Sequence, residues 1–157
     1  MIALPIACSI TGSRLIDGGT LLPDLAVAGV GLSLGPELLT NGDFATDTVW
    51  TKGLGWTIAG GVAAVASPGI NSLLSQAFVP IVGRTYYAVI VVSSLTAAAL
   101  TMRFTLAGAT VTSSAAIGSS GTFTRVIVPS GTADSFSIVG SASAIASVDS
   151  VSLRLVI

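Results

Sequence analysis

The chain has 157 residues, enough for one sandwich-sized core, yet only 8% of them are charged, about a third of the usual share. A net charge of −1 with no basic cluster removes the electrostatic footprint of a nucleic-acid binder, and the absence of histidine removes the commonest general base and metal ligand. The longest unbroken aliphatic and aromatic run, Tyr86 to Val92, is far shorter than the roughly 20 residues a membrane-spanning helix needs.

Residues 1–36 differ from the rest. Gly12, Gly18, Gly19, Gly29, Gly31 and Gly35, with Pro5, Pro23 and Pro36, leave no room for a useful helix. Between them stand Leu15, Ile16, Leu21, Leu22 and Leu25, which a polar disordered tail would avoid. An extended N-terminal arm is expected here. These five side chains are its partner-binding residues, ordering against a neighbour or against the chain's own sandwich. Cys8 is the only cysteine, so no intrachain disulfide forms, and it reads as a small apolar side chain.

From residue 37 onward, short runs of alternating apolar and polar residues follow one another. Leu38-Leu39 reads as a first short strand, and Asn41-Gly42-Asp43 as a turn. Trp56 opens the next strand and Gly60-Gly61 reverses it. Val62 to Ala66 ends at Ser67-Pro68-Gly69, and Leu73 to Val79 ends at Pro80. Thr85 to Leu95 is nearly all apolar and is expected to be central, with both faces covered. Leu100, Met102, Phe104 and Leu106 alternate with Thr101, Arg103 and Thr105, the clearest half-buried strand. A short edge at Ala109 to Thr112 follows, within a Ser/Ala/Thr/Gly-rich stretch. Phe123 to Val128, Phe136 with Ile138, and Val151 with Leu153 and Leu155 complete the set. The pattern predicts an all-β sandwich over 37–157 with about eight to ten antiparallel strands. Phe104, Met102, Ile90 and Val151 are expected in its core.

Several of these stretches carry a family likeness. NGDF, followed by DTVWTKGLGWTIAGG, resembles the opening of the galactose-binding-like jelly rolls of bacteriophage virion proteins. Ser75-Gln76-Ala77-Phe78, then Gly83-Arg84-Thr85-Tyr86, and the closing Ser147 to Leu153 are similar to internal and final segments of the same family. The resemblance spans about residues 37–157. It implies a jelly roll and a virion setting, in capsid decoration proteins, head fibres or tail fibres. It is also related in pattern to carbohydrate-binding modules.

Chemistry is sparse. Lys52, the only lysine, sits in a Gly-rich turn, and Asp43 and Asp47 suit turn or capping duties. No catalytic residue is assigned, and the chain is not expected to be an enzyme. Asp149 shares the parity of Val151 and Leu153, which predicts a buried carboxylate needing partners. A hydrogen bond to the backbone of the 41–44 turn is the expected partner, tying the last strand to the first. The resemblance implies an alternative, a structural calcium held by Asp43 and Asp149. Ala45 stands where the family usually has one more acid. No other cofactor is expected. Of the aromatic residues only one of Tyr86 and Tyr87 can point outward, thin material for a sugar platform.

A chain so poor in charge is poorly soluble alone, which argues that much of its surface is covered by neighbours. A membrane β-barrel also alternates, but the aromatics do not gather at strand ends, and no basic stretch precedes the first apolar residues. Neither a membrane contact nor a secretory signal is therefore expected. The reading that joins these points is a phage capsid decoration (cement) or head-fibre subunit. It would be assembled in the bacterial cytoplasm, bound to other virion proteins such as the major capsid protein, and homo-oligomeric. The alternative is a receptor- or carbohydrate-binding module of a tail appendage.

Overall fold

The computed structural model describes residues 32–157. These residues contain eleven strands and no helix. One sheet has the order β3 (Trp56–Ala59), β4 (Val62–Ala66), β11 (Ile145–Val156), β6 (Tyr86–Ala97), β9 (Gly121–Ile127), and β1 (Leu34–Glu37) also pairs with β11. The second runs β2 (Thr51–Lys52), β5 (Ser72–Ala77), β10 (Ser135–Gly140), β7 (Leu100–Leu106), β8 (Ala109–Ser113). Every pairing is antiparallel. The two sheets pack face to face as a β-sandwich, because alternate side chains of each strand are apolar and must leave water together.

The core follows the alternation. Leu100, Met102 and Phe104 of β7 are fully buried, as are Phe136 and Ile138 of β10, Ile90 of β6 and Leu153 of β11, with Val151 close behind. Phe104 is the hub of the aromatic cluster. Its ring centroid lies 5.3 Å from that of Tyr86, 5.9 Å from Phe136 and 6.1 Å from Phe78. Gly60 and Gly61, both at positive φ, make the two-residue reversal between β3 and β4 that the Gly-Gly pair foretold.

Two expectations need correction. The first strand is Leu34–Glu37, not Leu38-Leu39. Gly35 and Pro36 look like breakers in the sequence. However, β1 pairs on one side only, at Leu34↔Val156 and Glu37↔Arg154 with a register shift between them, so Pro36 owes the ladder no N–H. The second concerns β6, which is not covered on both faces. Tyr86, Ala88, Ile90 and Val92 are buried while Tyr87, Val89 and Val91 are half-buried. Their outer face pairs across to Arg154, Ser152 and Ser150 of β11 and to Val126, Thr124 and Thr122 of β9. An apolar run therefore reads like a doubly covered strand although only one of its faces packs on the other sheet.

Candidate functional site: a bonded seam and an apolar end

The opening segment is stitched along one edge of β11. At its start β11 pairs with β4 through Ile145 to Val148, and near its end with β1. Between these partners its backbone would be unpaired, a cost that buried amides rarely bear. Residues 37–42 fill the gap. The Leu38 N–H donates to the Leu153 carbonyl (3.0 Å) and the Val151 N–H to the Gly42 carbonyl (2.7 Å). Glu37 supplies the rest. Its carboxylate accepts from the Leu153 N–H (2.8 Å), from the Leu38 and Leu39 N–H groups, and from the Ser152 hydroxyl. Arg154 lies 3.5 Å away. Partial burial by itself would raise the Glu37 carboxyl, but the donors from Leu153, Ser152, Leu39 and Leu38 together outweigh it and hold the group below its ordinary value.

Gly42 is required by close approach rather than by φ. A Cβ there would lie 2.2 Å from the Val151 carbonyl oxygen. On the other side of the same loop, the Gln76 amide plays the part of a strand. It accepts from the Thr40 N–H and donates to the Thr40 carbonyl, both at 2.7 Å. Phe44 and Trp50 fill the space beneath, their rings 5.5 Å apart, and the Trp50 indole N–H donates to the Asn41 carbonyl. Trp56 is likewise buried, its N–H directed to the Ser72 carbonyl.

The expected tie between the last strand and the opening turn therefore exists, but Asp149 does not make it. The register shifts between Val148 and Ser150, so Asp149 is the extra residue of a bulge. Val148 and Val151 both point inward, and the parity that placed Asp149 beside Val151 is broken there. Asp149 is half-buried and accepts a hydrogen bond from Ser93 on the outer face. Asp43 is exposed and bonds the Ala45 N–H. The two residues of the calcium alternative thus have separate partners. Among the described residues no group of three or more His, Cys, Asp or Glu side chains is placed to hold a metal. Asp47 pairs with Lys52 at the surface.

The second feature is apolar. The loop between β5 and β6 leaves Val79 73%, Ile81 61% and Val82 50% exposed. It lies at the end of the sandwich where β9 finishes and β11 terminates. Gly83 N–H donates to the Pro129 carbonyl (3.0 Å), Val156 N–H to Thr85 and Ile157 N–H to Ser33. Val128, Ile157 and Leu32 are exposed at the same end. The loop is held firmly. The Ile81 N–H donates to the Tyr86 hydroxyl at 2.8 Å and the Arg84 N–H to the Ile81 carbonyl, while Phe78 and Tyr86 pack edge to face below.

None of the aromatic side chains is fully exposed. All nine lie among the described residues and each is buried or half-buried, the outward Tyr87 included. Leu15, Ile16, Leu21, Leu22 and Leu25 lie outside the described residues, as does Cys8. No family model matches the chain, and no curated protein matches it.

Proposed function

We propose that this chain is a structural subunit of a bacteriophage virion, a capsid decoration or head-fibre protein that works by burying apolar surface against neighbouring proteins. It performs no catalysis on this reading. The observation that carries it is the apolar end. A sandwich with 8% charged residues presents Val79, Ile81, Val82, Val128 and Ile157 to water on a rigid loop frame. Clustered exposed apolar side chains mark surfaces that are covered in use. The motif likeness to virion jelly rolls supplies the setting. A sandwich that binds capsomers in the assembled shell stabilises them by mass action.

The deciding experiment is localisation. Antibody against the purified chain should label the heads of intact virions by electron microscopy. The arm should carry the attachment, so deleting residues 1–30 should abolish decoration. Labelling at the tail tip would instead favour the receptor-binding alternative, and absence from virions would overturn both.

A further inference from the structure

We propose that the apolar end of the sandwich is the seat for the N-terminal segment of a neighbouring copy of this chain. The inference deepens the assembly reading above and rests on it, since a segment satisfied within one molecule would leave nothing for assembly. The seat is built before any partner arrives. Val79, Ile81 and Val82 are exposed on a loop fixed from beneath by the Tyr86 hydroxyl and from the side by the Pro129 carbonyl. A loop already fastened by its own chain costs less to order on binding, which leaves more of the apolar burial as affinity.

The occupant is identified by chemistry and reach. Arg84 is the only charged residue in the loop that carries Val79 to Val82, so the seat suits an uncharged apolar segment. Residues 25–31, ahead of the sandwich, are such a segment, LAVAGVG, preceded by Leu21 and Leu22. Thirty-one residues precede Leu32, and Leu32 enters the sandwich at this same end, beside Ile157. Drawn out, the chain from Leu25 to Leu32 spans about 25 Å and that from Leu15 about 60 Å. A domain of this size has a radius of gyration of roughly 14 Å, so these leucines reach a second molecule easily. Mutual exchange closes a two-fold dimer, and one-way donation runs on as a chain of subunits.

Complementation between full-length variants tests the contact by sedimentation velocity. One variant spoils the seat, Ile81→Asp with Val82→Asp. The other spoils the segment, Leu21→Asp with Leu22→Asp. Wild type should associate, each variant alone should associate about ten-fold or more weakly, and an equimolar mixture should recover a heterodimer from the one intact seat and one intact segment. Thermal unfolding of each variant checks that it folds, and Val79→Asp replaces the seat variant if that one does not. A wild type that stays monomeric overturns the proposal, as docking within one chain would produce. A segment variant that associates like wild type also overturns it, pointing to seat against seat. So does a seat variant with undiminished association, or a mixture that stays monomeric. Virion labelling is read separately. Self-association without incorporation into virions overturns the assembly reading, whereas incorporation without self-association overturns this contact alone.

Discussion

The loop of residues 38–50 and the loop of residues 78–85 solve the same problem in opposite ways. Each leaves the sandwich for several residues and each is pinned over aromatic rings. The first turns Leu39, Phe44 and Trp50 inward, leaves Val49 at the surface, and satisfies its backbone with Gln76, Asn41 and Glu37. The second buries Tyr86 and half-buries Phe78, then points Val79, Ile81 and Val82 at water. Polar side chains in the first loop complete its contacts within the chain. The second has almost none, so its exposed side chains gain only from another surface. The first loop completes its contacts within the chain, and the proposed association uses the second.

The sharpest way to break this contrast is at the ring under the second loop. Phe104→Ala should destabilise the protein by about 3–5 kcal/mol, because it opens a cavity beneath Phe78, Tyr86 and Phe136. Urea unfolding measures it, and a loss under about 1 kcal/mol would mean that the cluster does not support the loop. Next comes the seam. Gly42→Ala drives a methyl group into the Val151 carbonyl and should cost about 2–3 kcal/mol by forcing the loop off β11. An unchanged midpoint for this variant would show that the opening loop is not fastened there.

Smallest is Glu37→Gln, at about 1 kcal/mol near neutral pH, since the carboxylate is partly solvated. Its pH dependence is more telling than its size. A carboxyl held below its ordinary value stabilises the fold above the unfolded-state value of about 4.3 and loses that contribution as pH falls through the folded-state value. The gap between wild type and Glu37→Gln should therefore be full at pH 7 and shrink below about pH 4. Asp134 is also held low, by the Ala107 N–H and Ser135, but it is present in both proteins and cancels in the difference. A gap that stays constant down to pH 3 would remove Glu37 from the seam.

Much of the sandwich was legible along the chain because strand alternation is local. The parity of Leu100, Met102 and Phe104 needs no knowledge of the partner sheet, and neither does the Gly60-Gly61 reversal. The same parity failed at Asp149, because a bulge is decided by what lies alongside the strand, and no residue at 147–150 announces it. Gly35 and Pro36 misled for a related reason. They stop a central strand but suit an edge strand paired on one side, and edge position is a property of the sheet.

The sequence by itself determined that residues 37–157 form strands and that the chain is poor in charge and without histidine, since alternation and side-chain type are written residue by residue. Only the tertiary structure decided how the last strand is tied. A gap of 115 residues separates Glu37 from Ser152, so their hydrogen bond forms only once the fold brings them together. It also decided which valines and isoleucines stay wet. Val79, Ile81 and Val82 are as apolar as Val92 and Ile90, and nothing in the side chains themselves separates the two groups. Their difference lies in position, because Ile90 faces the other sheet while Ile81 lies ahead of β6, where none of the strands covers it.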